Sequence, residues 1–226
     1  MPGLLRHHQF WLPGAPTWDG RWDQLADAAY VGARDGDLSP ELSFDLASFL
    51  LEWAAPTPAF SELADASLDH ASLPGDTRNL AELARQALRA VGYAPDFRLA
   101  PELLDAFAEP VEHLTADLRA TGLTGQVHLR LPDDDPRPAS VWFGYEHSAA
   151  HTSGLTSFDA VYQTPTDLLT MVADEVQDAV MHAVWGAWPV CPTHHRGVHP
   201  ALTDGTAAWQ CRAGAGHVIS TIGQWA

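Results

Sequence analysis

The sequence predicts an α+β protein, with a helical N-terminal half followed by a small antiparallel sheet, one long helix and a zinc-ribbon-like C-terminal hairpin. Three observations carry this. Apolar residues recur at helical spacing from Trp18 to about Thr121. After Gly125 the spacing changes to alternation. The last stretch, Pro189 to Gly223, is turn-rich, poor in aliphatic core and holds both cysteines. A boundary at Gly122 to Gly125 separates a helical region, 1–122, from an α+β region, 123–226, either as two domains or as one continuous core.

Trp18 to Ala33 places Trp22, Leu25, Ala26, Ala29 and Tyr30 on one helical stripe. Ser39 is an N-cap and Pro40 a first-turn proline for the next helix. Its stripe is Leu42, Leu46, Phe49, Leu50 and Trp53, and Pro56 ends it. Pro58 to Ala66 reads as a short helix and Leu68 to Gly75 as a loop. Asp76 caps a helix through Val91, with Leu80, Leu83, Ala84, Ala87 and Leu88 on its apolar face, and Gly92 stops it. Pro101 opens a helix to about Thr121, in which Pro110 predicts a kink or break.

Beyond Gly125, Val127, Leu129 and Leu131 alternate with His128 and Arg130, which predicts a strand with the first set inward. Pro132 to Pro138 is an acidic turn. Ala139 to Glu146, rich in Val141, Trp142, Phe143 and Tyr145, is the partner strand of an antiparallel hairpin. A further short strand is expected near Phe158 to Tyr162. Thr164, Pro165 and Asp167 mark a helix start that carries a capping-box acid. That helix runs to about Trp188, with Val172, Val176, Ala179, Val180, Ala183 and Val184 on one face and Asp174, Asp178 and His182 on the other. Met181 and Trp185 share the latter side, where the C-terminal segment is expected to pack. Thr206 to Cys211 and His217 to Ile222 form the last hairpin.

Composition narrows the function classes. Hydrophobic residues make up 46% and charged residues 18%, which describes a folded chain. The formal net charge is −17, and all 12 basic residues are arginines, a usage typical of a GC-rich genome. Such a surface repels phosphate backbones and anionic lipid, which argues against nucleic-acid and membrane partners. It steers a basic protein partner inward. No run approaches the ~20 apolar residues of a membrane span. Met1 to Pro16 has only a short apolar run, interrupted by His7 and His8 and without a cationic lead, so a cytoplasmic location is expected. There Cys191 and Cys211 are metal ligands or free thiols, not a disulfide.

Zinc takes four nitrogen and sulfur ligands in a tetrahedron. Cys191-Pro192-Thr193-His194 supplies two from one turn. Cys211 and His217 supply the second pair across the hairpin, with His199 or His195 as alternatives to His217. Zinc here would be structural, because a small turn-rich tail is where a metal staple contributes most. The pattern Trp188-Pro189-Val190-Cys191-Pro192-Thr193-His194, then Trp209-Gln210-Cys211 and Ile222-Gly223, resembles the tail of a group of uncharacterised proteins from GC-rich bacteria. The likeness extends back to Val141-Trp142-Phe143-Gly144. It implies a shared tail fold and metal binding, and brings no activity with it.

Glu146, His147 and His151 follow a strand and offer a metal-dependent catalytic site, with Asp178 and His182 nearby. The row Asp174, Asp178, His182 otherwise reads as a solvated helix face. No Gly-rich phosphate loop, nucleophile elbow, H-E-x-x-H or deaminase pattern is present. Charge and missing motifs together predict a non-catalytic acidic protein-binding module, of an immunity or inhibitor type, directed against a basic partner. The alternatives are a metal-dependent enzyme and an accessory subunit of a cytoplasmic complex.

Overall fold

A computed structural model describes residues 20–72, 78–131, 140–147 and 154–225. The fold is α+β, and the chain divides into two compact units, Met1–Leu99 and Ala100–Ala226.

Four amphipathic helices build the first unit: α1 (Gly20–Asp35), α2 (Pro40–Trp53), α3 (Pro58–Ser72) and α4 (Arg78–Ala90). Their apolar stripes meet in one core, to which α1 gives Trp22 and Ala26, α2 Leu46 and Leu50, α3 Phe60 and Leu63, and α4 Leu80 and Leu88. Each such large side chain contributes roughly 1.5–3 kcal/mol on burial. The Ser39 hydroxyl accepts from the Leu42 N–H at 3.1 Å and starts α2 as expected. By contrast α3 runs beyond Ala66 to Ser72. Ser67 faces the core, and its hydroxyl donates to the Leu63 carbonyl at 2.6 Å, so the helix continues with its polar group satisfied. The cap expected at Asp76 lies outside the described residues. Gly92, at φ 66°, ends α4, and the Tyr93 N–H reaches back to the Leu88 carbonyl at 2.9 Å.

The second unit opens with a 3₁₀ helix (Pro101–Phe107) and α5 (Ala108–Ala120). The single helix expected here is thus two, and the break falls at Phe107. Pro110 sits in the first turn of α5, where a missing N–H breaks no intrahelical bond. Next come β1 (Val127–Arg130), β2 (Ser140–Tyr145) and β3 (Leu155–Thr156), an antiparallel sheet in that order with Val127 opposite Tyr145. As an edge strand, β1 leaves Leu129 37% exposed, so the expected inward set is weaker than alternation suggests. The strand expected at Phe158 to Tyr162 is a helix, α6 (Ser157–Tyr162). Thr156 and Asp159 form a capping box that starts it.

The long helix α7 (Pro165–Val184) begins at the Thr164 cap, whose hydroxyl oxygen accepts from the Asp167 N–H at 3.2 Å. It stops short of Trp188 because Trp185 turns left-handed, at φ 52° and ψ 40°. A second antiparallel sheet follows: β4 (His199–Thr203), β5 (Thr206–Cys211) and β6 (His217–Thr221). Asp204 and Gly205 join β4 to β5 with positive φ at both residues, the pairing that a two-residue hairpin favours.

Two polar anchors hold this tail. The buried Asp117 carboxylate of α5 accepts from Trp209 Nε1 (2.7 Å), Gly223 N (2.8 Å) and Trp225 N (2.9 Å). The Gln177 amide of α7 donates to the Trp188 and Val198 carbonyls, both at 2.7 Å. Asp117 ties α5 to the tail, and α5 falls with the sheets in the compact unit that begins at Ala100. No described helix is long and apolar enough to cross a membrane.

Candidate metal centre

The segment after α7 folds back on itself as a short knuckle. The Val198 N–H donates to the Pro189 carbonyl (3.0 Å), Cys191 N–H to Arg196 (2.8 Å) and His195 N–H to Cys191 (2.8 Å). His195 takes a positive φ of 51°, which reverses the chain and leaves the His194 N–H donating to Cys191 Sγ at 3.4 Å. The knuckle therefore presents Cys191 and His194 from one turn. The second pair comes from the sheet, where Cys211 at the end of β5 stands directly across from His217 at the start of β6.

These four side chains converge. Cys191 Sγ lies 3.6 Å from His194 Nδ1 and 3.7 Å from His217 Nε2, and Cys211 Sγ lies 3.4 Å from His194 Nδ1. All four ligand atoms fall within 4.8 Å of one another. A tetrahedral ion with bonds of about 2.3 Å to sulfur and about 2.05 Å to nitrogen has sulfur–nitrogen edges of about 3.6 Å. The three separations of 3.4–3.7 Å match those edges, so the quartet can hold a metal ion. Both thiols are buried, His217 is half-buried and His194 is exposed. Burial pushes the Cys191 thiol up, but the His194 and Thr193 backbone N–H donors and the neighbouring Cys211 thiol together hold it below its usual value.

His195 and His199 lie outside the quartet. His195 serves the reversal of the knuckle, and His199 pairs with Gln210 at the start of β4, where its charge bears on Asp174. Among the described residues this is the one group of three or more His, Cys, Asp or Glu side chains whose ligand atoms come this close. Glu146 and His147 are exposed in the turn after β2, Glu146 with φ 56°, and His151 lies outside the described residues. Asp174, Asp178 and His182 share the exposed face of α7. The C-terminal segment does not cover Met181 and Trp185 as expected: both stay exposed, and the sheet packs instead along the Gln177 side.

Sequence reasoning missed Asp117 and Gln177. Each carried a signal. Asp117 falls between Leu114 and Leu118 on the buried face of α5, and Gln177 between Ala173 and Val180 on the buried face of α7. A polar side chain set into an apolar stripe needs a buried partner. Elsewhere in this unit a cavity of about 400 Å³ is lined by Asp105, Glu109, His113, Gln163, Leu168 and Leu169 and shares no residue with the quartet. Compared with known proteins, the chain matches no family model, no curated protein and no solved structure.

Proposed function

We propose that the quartet is a structural zinc site stapling the C-terminal tail of a non-catalytic, acidic protein-binding module whose partner is a basic protein. One observation supports the zinc reading above all. Four protein ligand atoms, two of them thiol sulfurs, lie within 4.8 Å of one another, and three of their sulfur–nitrogen separations are 3.4–3.7 Å. A set closed by the protein leaves no position for a reactive water, which is the design of structural zinc and not of catalytic zinc. The tail needs such a staple. Its three strands have five, six and five residues, and two of the residues that β5 buries are alanines.

The binding-module half rests on charge. With 29 acidic and 12 basic residues, the surface attracts a basic protein and speeds its encounter. A cytoplasmic inhibitor or immunity-type role against a basic enzyme uses this property directly. Elemental analysis of the untagged protein tests the first half. One zinc per chain is expected, and Cys191→Ala is expected to lose it together with thermal stability. Protein that is metal-free after growth in zinc-supplemented medium overturns the clasp. Affinity capture from the source cell at low ionic strength tests the second half: a basic protein released by salt is expected, and recovery of no protein overturns it.

A further inference from the structure

We propose that the exposed stripe of α7, with the apolar groove beside its C-terminus, is the docking surface for a basic segment of a partner protein. This rests on the binding-module reading above and gives it a location. Between Val172 and Val180 the helix is buried at every position except Asp174 and Asp178. Their spacing continues through Met181 to Trp185, so these four side chains form one line along the helix. The line is acidic at one end and apolar at the other.

Trp185 is held at a cost on two counts. It is 87% exposed, the most exposed large apolar side chain of the described residues. It also takes the left-handed helix-terminating conformation, which normally falls to Gly or Asn. Among the described residues, its ring contact is a tilted packing on His182, at 5.7 Å between centroids. A side chain that gains nothing from burial and strains the backbone does not serve the fold, and such outliers point to recognition.

The groove beside it has a volume of about 380 Å³ and is lined by Leu123, Val184, Ala187, Trp188, Val190 and Trp225. Val184 and Val190 are each 40% exposed, so the groove continues the apolar end of the stripe. A large apolar side chain is the anchor such a groove takes.

Charge identifies the occupant. Asp174 and Asp178 stand one turn apart, and burial followed by the Asp178 and Glu175 charges pushes the Asp174 carboxyl up, with His199 and Arg212 offsetting part of this. Two exposed carboxylates one turn apart are complementary to a cationic side chain. From Asp174 to Trp185 the helix spans about 16 Å. The fitting partner is therefore a segment with arginine or lysine at one end and a large apolar residue about 16 Å away.

The test uses the full-length protein and two fluorescein-labelled synthetic peptides. Both carry a phenylalanine anchor, one with paired arginines and one with paired glutamates at the charged end. Fluorescence anisotropy is expected to show saturable, salt-sensitive binding of the arginine peptide alone. Trp185→Gly should weaken it about tenfold or more while raising the melting temperature, because glycine relieves the left-handed strain. Asp174→Asn with Asp178→Asn should weaken it and flatten its salt dependence. Equal binding by Trp185→Gly and the unsubstituted protein overturns this surface and leaves the acidic-module reading standing. A melting temperature lowered by Trp185→Gly makes the residue structural and likewise overturns the surface. Absence of binding overturns this surface, while the module reading stands or falls on the affinity capture, and equal binding of the glutamate peptide overturns the basic occupant. A dimer that Trp185→Gly dissociates makes a second copy the occupant and overturns the partner.

Discussion

Asp117 shows how one buried carboxylate organises a tail that lacks aliphatic mass. It is fully buried and accepts from Trp209, Gly223 and Trp225. Asp117→Ala removes all three bonds at once and leaves the Trp209 indole N–H without its acceptor. A loss of at least about 3 kcal/mol is expected in denaturant unfolding followed by tryptophan fluorescence. A loss below about 0.5 kcal/mol contradicts the anchor role. Gly223 is constrained twice, by φ 87° and by the His113 ring, which a Cβ would strike. Gly205 has φ 75° but open space around it. Gly223→Ala should therefore cost clearly more than Gly205→Ala, for which about 1 kcal/mol is expected from conformation alone. Equal urea midpoints for the two variants would remove the steric half of this account.

At the scale of elements, caps start the helices, and the Cys/His quartet is placed to close the tail. Thr164 starts α7 by accepting from the Asp167 N–H, and its hydroxyl also donates to the Asp167 carboxylate at 2.6 Å. Thr164→Ala should cost about 1 kcal/mol, measured by thermal unfolding. The sheet β4–β6 depends on a different device. If the quartet closes it, a zinc chelator should raise amide exchange in Cys191–His195 and β4–β6 while α2 and α3 keep their protection. Unchanged exchange in the tail after chelation would show that Asp117 and Gln177 suffice without a metal.

For the whole molecule, acid is expected to act on the two units with opposite sign if the quartet holds a metal ion. In the first unit, Asp23, Asp27 and Asp96 all sit above the ordinary carboxyl value of 3.8, chiefly through burial. Asp27 adds repulsion to Asp23, while the Tyr93 hydroxyl, 2.6 Å from Asp27, offsets part of the shift there. A carboxyl raised in the native state favours folding fully below its unfolded value, and that contribution is lost as pH climbs through the native value. Lowering the pH from neutral toward 3.8 thus stabilises this unit, and relief of the −17 net charge acts in the same direction. Metal ligation runs the other way, because protons compete for thiolates and imidazoles. As pH falls from neutral toward 3.8, protection in α1 and α4 should rise while that in a metal-loaded β4–β6 falls, once intrinsic exchange rates are removed. Movement of both units in one direction would refute this assignment.

Local chemistry was legible in the residues themselves. Ser39 with Pro40, Thr164 with Asp167 and Gly92 read directly as helix ends, because a cap forms within one turn of chain. The two cysteines with His194 and His217 were legible as a ligand set, because a knuckle and a hairpin each bring their pair together over a few residues. Where local preference and packing disagreed, packing decided. The buried Ser67 carried α3 past its expected end, and the edge position of β1 left Leu129 outside. Only the tertiary structure decided that Asp117, separated from Trp209 by 92 residues, would belong to the tail. Nor did spacing decide that the sheet would pack beside Gln177 and leave Trp185 to solvent. Such contacts depend on which faces compete for burial across the whole unit, and no stretch of sequence one turn long contains that competition.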